Sequence, residues 1–205
     1  MENSFPDGIT LKKMEGTVIT VNSSPFTLTR LMAERILAII KLYIQMFPNP
    51  DDDVSEQTIT IEMATRAFNL ECQALRECYD RNHPYTPEYF GSESLDQNRE
   101  YIYPGGYLHV IAVSKMPGSI APGMDDLTSS EQRLIKSQLT DILERMRTRG
   151  WIFIYPSSEN VLFDWTSAQT YLGGLGGIER ADLDDEPITE SSGVIAGFGV
   201  NIWKF

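Results

Sequence analysis

The sequence predicts a mixed α+β fold with two lobes, built from an antiparallel sheet and packed helices. Residues 105–118 indicate an apolar strand that ends in a short polar connection, and a long helix follows it. Residues 150–164 then hold an apolar strand, a polar loop, an Asn and a second apolar strand. With 205 residues, 41% of them apolar, the chain can bury one good core. We therefore expect a single domain over residues 1–205.

The first 46 residues are predicted to form a hairpin and a long helix. Residues 9–21 contain two short alternating runs around Gly16, which indicate the hairpin. Ser24 followed by Pro25 is a good helix start and predicts a helix over about residues 25–46. Its apolar positions keep helical spacing, at Leu28, Met32, Ile36, Ile39, Ile40 and Tyr43.

The next segment is predicted to form a strand and then a second helix. Residues 58–61 alternate as a strand does, and residues 63–79 have apolar or small residues at helical spacing. Cys72 and Cys78 point to different sides of that helix, so we expect no disulfide between them. The run 51–53 has three adjacent carboxylates but lacks the spaced ligands of a calcium loop, which indicates a solvated turn.

The clearest single element is the helix that begins after Thr128. Thr128 and Glu131 form a capping box, and Gly150 closes the helix. Its apolar stripe consists of Ile135, Leu139, Ile142, Leu143 and Met146. We expect this helix to be scaffold rather than part of a reacting site.

The order of elements between residues 105 and 164 resembles the small fungal kinase-like proteins related to aminoglycoside phosphotransferases. Their catalytic loop reads His-x-Asp-x-x-x-x-Asn before two apolar residues, and Asn160 with the next two residues supplies that ending. Counting back from Asn160 puts Phe153 at the His and Tyr155 at the catalytic Asp. The metal-binding Asp-Phe-Gly would follow strand 170–172, where the chain reads Gly173-Gly-Leu-Gly-Gly177.

The small-lobe half of this resemblance rests on one helix and the turn after it. In a kinase the preceding strand carries a Lys and the helix a Glu that pairs with it. Glu71 matches the helix Glu, whereas Ile61 and Glu62 occupy the candidate Lys positions on the predicted strand. We therefore expect the strand Lys to be absent. The likeness covers residues 57–182 and includes the turn at His83-Pro84.

The resemblance implies a kinase-like two-lobed fold with an abbreviated large lobe. The small lobe would take residues 1–113 and include the inserted helix, the hinge residues 114–118, and the large lobe residues 119–205. Phosphoryl transfer depends on positioning and on charge stabilisation by metal ions and cations, so loss of the base and the metal carboxylate removes the mechanism. We expect no phosphoryl transfer and no cofactor.

The candidate ligand-binding residues are those that the resemblance places around the cleft between the lobes: Glu71, His109, Ser114, Lys115, Met116, Tyr155, Asn160, Asp164 and Gly174. His109 lies in an apolar run, which favours a hydrogen-bonded packing residue over a catalyst. Asn160 and Asp164 could hold a cation, although an Asn that bonds local backbone is commoner. Residues 173–177 either make a sharp bend or leave space for a ligand. We expect no transition-metal site, because the sequence has only two His.

Three classes of function remain open on the sequence. The first is a binding module that holds a small molecule or a protein partner in the cleft. The second is a repurposed enzyme that cyclises or isomerises an apolar metabolite of fungal secondary metabolism in a pocket lined by Trp151, Phe153, Tyr155 and Trp165. The third is a residual phosphotransferase with Asp164 as base and Glu159 as metal ligand.

Two features separate the first two classes. A binding module predicts a polar cleft or an exposed apolar patch elsewhere on the surface. A repurposed enzyme predicts a closed aromatic pocket with one or two ionisable groups of strongly shifted pKa.

Net charge limits the partners and the location. A formal net charge of −12 repels phosphate backbones and anionic lipid surfaces, so we expect neither nucleic acid nor membrane as a partner. The apolar stretch 36–40 is too short to span a bilayer, and no N-terminal signal pattern is visible. We expect a cytoplasmic protein, and the sequence leaves its oligomeric state open.

Magnesium with ATP is expected to leave the melting temperature unchanged, because the catalytic base and the metal carboxylate are missing. A thermal-shift titration at millimolar nucleotide checks this, since any ligand that binds only the native state must stabilise it. A rise of several degrees would contradict the expectation.

Overall fold

A computed structural model describes residues 18–21, 24–27, 38–48, 51, 53–121, 127–182 and 184–199. The described residues divide into two compact units. The first unit takes the residues up to Phe68 together with Tyr89–Ser114, and the second takes Asn69–Glu88 and the residues from Lys115 onward. Helix α1, Val54–Cys78, therefore contributes its first part to one unit and its last part to the other. The expected lobe boundaries stay a prediction.

The first unit contains two antiparallel sheets. A hairpin pairs β1, Val18–Val21, with β2, Ser24–Thr27. A three-stranded sheet places β5, Tyr107–Val113, between β3, Ile39–Ile44, and β4, Tyr89–Asp96. One face of this sheet holds a core cluster of Leu108, Val110 and Ala112, against which Ile40, Leu42, Ile44 and Tyr101 pack.

The predicted helix over about residues 25–46 is wrong wherever the structure describes it. Strand β2 ends at Thr27 and β3 begins at Ile39, while residues 28–37 lie outside the described part. β3 pairs with β5 in continuous register, from Ile39 opposite Val113 to Ile44 opposite Leu108. Its β-branched and aromatic side chains suit a pleated strand, and pairing with a distant segment overrides the helical spacing. Residues 9–17 of the predicted hairpin also lie outside the described residues.

The predicted strand at residues 58–61 is wrong as well, because this segment forms part of α1. Asp53 starts the helix with a capping box, in which its carboxylate accepts the Glu56 N–H and the Glu56 carboxylate accepts the Asp53 N–H. The hydroxyls of Thr58 and Thr60 donate to carbonyls four residues earlier. These bonds satisfy the threonines within the helix, so alternation alone does not make a strand here.

The second unit is built around helix α2, Ser129–Thr148, as the sequence predicts. The capping box of Thr128 and Glu131 is present, and the whole predicted apolar stripe is buried. Around α2 lie β6, Ser119–Ile120; β7, Trp151–Phe153; β8, Val161–Asp164; β9, Gln169–Leu172; β10, Ile178–Arg180; and the short helix α3, Gly193–Gly197. The strands form one sheet of order β6-β8-β9 and one pair of β7 with β10.

Cys72 and Cys78 form no disulfide, and both are buried in α1. Burial raises the pKa of the Cys78 thiol to about 12. The Cys78 carbonyl accepts a hydrogen bond from Nη1 of Arg149 at 2.6 Å, which ties the end of α1 to the end of α2. Within the described residues, no helix is both long and apolar enough to cross a membrane.

We expect Ala168→Gly to stabilise the protein by about 0.5 to 1 kcal/mol. Ala168 lies in the turn between β8 and β9 with φ of 52°, a left-handed conformation that costs an L-residue with a Cβ about 1 to 2 kcal/mol, partly offset by the greater entropy that glycine loses on folding. The measurement is the free energy of unfolding in urea.

Ala67→Gly provides the matched control, since the same change at this exposed position of α1 should destabilise by about 1 kcal/mol. Loss of stability in both variants would contradict the assignment of strain to the β8–β9 turn.

Candidate functional site

The counterpart of the catalytic loop lies between β7 and β8 in the second unit. Phe153, at the position of the catalytic-loop His, is a core residue whose ring meets Phe198 edge-on at 5.1 Å. Tyr155, at the position of the catalytic Asp, is 73% exposed. Neither side chain can take the proton of an attacking hydroxyl as an ionised carboxylate does. Neither of the two positions that the resemblance matches to the catalytic His and Asp therefore carries a group of that kind.

Asn160, Gly174 and Glu71 come together in this unit. The Gly173 N–H donates to the Asn160 carbonyl at 2.8 Å, which sets the segment after β9 beside the loop. A Cβ built on Gly174 would lie 3.5 Å from Oδ1 of Asn160 and 3.8 Å from Oε1 of Glu71. Kinases hold magnesium with the loop Asn and the Asp of Asp-Phe-Gly. The resemblance places the Asp-Phe-Gly motif after β9, where the chain reads Gly173-Gly-Leu-Gly-Gly177.

Glu71 holds this arrangement from helix α1. Its side chain is only 2% exposed, and its Oε1 accepts the N–H of Leu175 at 3.0 Å. Leu175 itself is fully buried, so the segment after β9 is fixed by a buried side chain and by a hydrogen bond next to Gly174. Glu71 thus lies close to Gly174 and Asn160, and its part in a ligand site stays a prediction.

The donors present do not fit the magnesium ions of a kinase. Beside the Asn160 amide, Gly174 supplies no carboxylate, and one oxygen of Glu71 already accepts a backbone N–H. Magnesium is usually bound through carboxylates and substrate phosphates in an octahedral shell. In the part of the chain that the structure describes, no group of three or more His, Cys, Asp or Glu could hold a metal ion.

Lys41 is a candidate residue that the prediction from sequence did not include. It lies on β3, the strand that precedes the helix with Glu71, and it follows Ile39 and Ile40. Kinases carry their Lys on this strand in the pattern Val-Ala-Ile-Lys. The Lys was sought at residues 58–61, which form part of α1, so that search did not test the strand that carries Lys41. The signal was the run Ile-Ile-Lys-Leu-Tyr-Ile, rich in strand-forming residues.

His109 lies in the first unit and is packed on all sides. Its ring stacks on Phe68 at 4.5 Å and on Tyr107 at 4.7 Å. Nδ1 is 3.1 Å from the Ser94 hydroxyl, and Nε2 is 3.3 Å from the Thr65 hydroxyl. Burial lowers the pKa of His109. These contacts are those of a hydrogen-bonded packing residue, the interpretation that the sequence favoured.

The Asp164 carboxylate stabilises the β8–β9 turn by accepting hydrogen bonds from it. It accepts the Thr166 N–H at 3.0 Å and the Ser167 hydroxyl at 2.6 Å, and the bond from Ser167 is the main reason why its pKa is lowered. Asp164 and Asn160 are separated by the length of β8, about 13 Å between Cα atoms at about 3.3 Å per residue. The structure does not bring the two together as ligands of one cation.

The remaining candidates lie where the chain passes from the first unit to the second. Ser114 is half-buried at the end of the first unit, and Lys115 is exposed at the start of the second. Met116 is a core residue. Their contribution to a ligand site stays a prediction.

The four aromatic residues proposed to line a pocket do not share one environment. Trp151 is fully buried, donates from Nε1 to Glu77 at 2.9 Å and lies under the Arg180 guanidinium at 3.8 Å. Phe153 belongs to the core, whereas Tyr155 and Trp165 are exposed. Two of the four are therefore packing residues and two face solvent.

Comparison with known proteins shows the fold but no family. No protein-family model matches the chain, and no curated protein matches it. Among solved structures, WbdD in complex with the kinase inhibitor LY294002 matches with a TM-score of 0.54 and 12% identity over 82% of this chain. This chain covers 36% of that WbdD chain. A further WbdD structure, described as a bifunctional kinase-methyltransferase, matches with a TM-score of 0.46 and 14% identity over 72% of this chain and 29% of that one.

Vaccinia related kinase 3 also matches, at 17% identity over 81% of this chain and 52% of that one, with a TM-score of 0.44. A likeness at 12% identity shows the fold alone. The chain thus has a kinase-like α+β fold, as the sequence predicts.

Glu71→Ala is expected to destabilise the protein by about 1 to 3 kcal/mol, because it leaves the buried Leu175 N–H without its acceptor. Glu71→Gln keeps an oxygen that can accept this bond and should cost less. Urea unfolding midpoints at constant slope measure both. Equal losses in the two variants would show that the hydrogen bond to Leu175 does not carry the stability.

Proposed function

We propose that this chain is a kinase-like binding protein that does not transfer phosphate. The observation that carries the proposal is Gly174, which stands beside Asn160 where a kinase holds its metal-binding carboxylate. Tyr155 at the position of the catalytic base supports it independently. The occupant is a small molecule or a protein partner.

Gly174 in place of the metal-binding carboxylate and Tyr155 in place of the catalytic base affect different parts of phosphoryl transfer. The metal ions neutralise charge on the transferred group, and the base orients and deprotonates the attacking hydroxyl. Preorganised charge of this kind is commonly the largest single contribution to catalysis. A chain that lacks both groups therefore has no route to efficient transfer, even with every other part of the fold in place.

The presence of residue types that kinases have at three other positions supports a binding function. Lys41 keeps the strand position, Glu71 the helix position and Asn160 the loop position. Glu71 is buried with a defined backbone partner, so the segment after β9 stays ordered without a metal. A fixed scaffold lowers the entropic cost of binding a ligand.

The repurposed enzyme is the weaker alternative. Its aromatic lining would need Trp151 and Phe153 to face a ligand, and both are core residues. The pKa of Glu144 is lowered to about 2, chiefly by hydrogen bonds from Arg147, and burial raises that of Cys78. Both shifts have structural causes away from Asn160 and Gly174.

The residual phosphotransferase also finds little support. The carboxylate of its supposed base, Asp164, is engaged by Thr166 and Ser167 in the β8–β9 turn. A general base must reach the hydroxyl that it deprotonates.

Gly174→Asp is expected to create a magnesium response that the natural chain lacks. The added Cβ meets its neighbours at ordinary contact distances, so the backbone at this position tolerates a side chain. Thermal shifts are measured with ADP or ATP, in magnesium and in EDTA. The natural chain should melt at the same temperature in both, whereas Gly174→Asp should be stabilised by magnesium with nucleotide, because metal bound only to the native state raises its stability.

Gly174→Asn is the matched control, since it has nearly the same shape without the charge and should behave like the natural chain. Magnesium-dependent stabilisation of the natural chain would overturn the proposal. So would magnesium-dependent phosphate release from ATP by the natural chain at a rate above that of buffer.

A further inference from the structure

An exposed aromatic surface lies at one end of the three-stranded sheet of the first unit. Just after β3, Phe47 is 67% exposed and Met46 is 46% exposed. The Phe47 ring meets Tyr103 edge-on, with ring centroids 5.4 Å apart. We call Met46, Phe47 and Tyr103 the Phe47 surface. Isolated exposed apolar residues are ordinary, but a Phe in contact with a second ring and next to an exposed Met forms a patch.

The backbone under the Phe47 surface is held by two glutamines. Nε2 of Gln97 donates to the Gln45 carbonyl at 2.8 Å and to the Tyr107 carbonyl at 3.0 Å, while its Oε1 accepts the Tyr103 N–H at 3.0 Å. Oε1 of Gln45 accepts the Tyr107 N–H at 3.0 Å. Gln97 is 3% exposed, so these bonds are buried and costly to break.

Gly106 adds a steric reason for the same rigidity. A Cβ at this position would lie 2.6 Å from Cδ1 of Tyr103 and 3.0 Å from Nε2 of Gln97. The close packing fixes the Tyr103 ring against the glutamine network. The Phe47 and Tyr103 rings therefore lie on a rigid backbone, so binding of a partner costs little conformational entropy in this chain.

Acidic residues predominate in both chain segments that build the Phe47 surface. Asp51, Asp53 and Glu56 follow Phe47, and Asp96 and Glu100 belong to the segment that leads to Tyr103. Across the described residues of 45–56 and 95–107, Arg99 is the one cation against these five acids. Interfaces commonly combine an aromatic centre with a polar rim of complementary charge.

We propose that the Phe47 surface binds a segment of a partner protein in which Lys or Arg flank an apolar side chain. The partner's apolar side chain packs on Phe47 and Met46, and its cations pair with carboxylates of the two acidic segments. A second copy of this chain is a poor occupant, because two molecules of net charge −12 repel each other and would bring acids against acids. Nucleic acid is excluded by the same charge.

This surface is distinct from Asn160 and Gly174, and the proposal does not depend on whether phosphate is transferred. It adds a protein partner of defined chemistry to the binding function. A failure here would leave the magnesium test at Gly174 untouched.

The test uses a fluorescein-labelled peptide of alternating lysine and leucine, titrated with the full chain while fluorescence anisotropy is recorded. We expect saturable binding that Phe47→Ser weakens by about tenfold or more, as removal of a central aromatic contact does. Ile59→Ser removes an equally apolar and 52% exposed side chain from α1 in the same unit, and it should leave the affinity unchanged. Melting temperatures establish that both variants fold.

Two further measurements isolate the contribution of charge to peptide binding. A peptide of alternating glutamate and leucine should not bind, and the double variant Asp96→Asn with Glu100→Gln should weaken binding and flatten its dependence on salt. Equal affinity of Phe47→Ser and Ile59→Ser for the lysine peptide would overturn the proposal, since it would reduce the binding to attraction by the overall charge.

Absence of binding by the lysine peptide would overturn it as well. So would a dimer in sedimentation velocity that Phe47→Ser dissociates, because the occupant would then be a second copy.

Discussion

The buried carboxylate of Glu71 is the constraint on which the arrangement around Asn160 depends. A polar group with 2% exposure requires hydrogen bonds, and the Leu175 N–H supplies one across 104 residues of sequence. This bond fixes the segment after β9, which in turn bonds to the loop through Gly173 and Asn160. In a kinase the same segment is also held by metal. Here hydrogen bonds to the Glu71 side chain and to the Asn160 carbonyl hold the segment.

Local signals made much of the second unit predictable. Helix α2 has a capping box, a stripe of five buried residues and a closing Gly, all within about 20 residues of each other. The strand-loop-strand order around Asn160 is likewise short, and the structure has it as β7, a loop and β8. Neither inference needed a partner from far along the chain.

The first unit resisted prediction because its strands are defined by distant partners. Ile39–Ile44 is apolar enough to fit a helix or a strand, and only its pairing with Tyr107–Val113 decides between them. Placing the strand at residues 58–61 also put the search for a strand Lys on a segment that is helix, whereas Lys41 lies on β3. The Asp53 and Glu56 pair was the available clue, since a capping box there starts α1 before the supposed strand.

The cysteines of α1 make the folded chain its own reporter of unfolding. Both thiols are buried, and Cys78 with a pKa of about 12 carries almost no thiolate at neutral pH. An unfolded cysteine, with a pKa of about 8.5, reacts readily with alkylating reagents. The rate of alkylation therefore reports the frequency with which α1 opens. Mass spectrometry that separates Cys72 from Cys78 would show which part of the helix opens first.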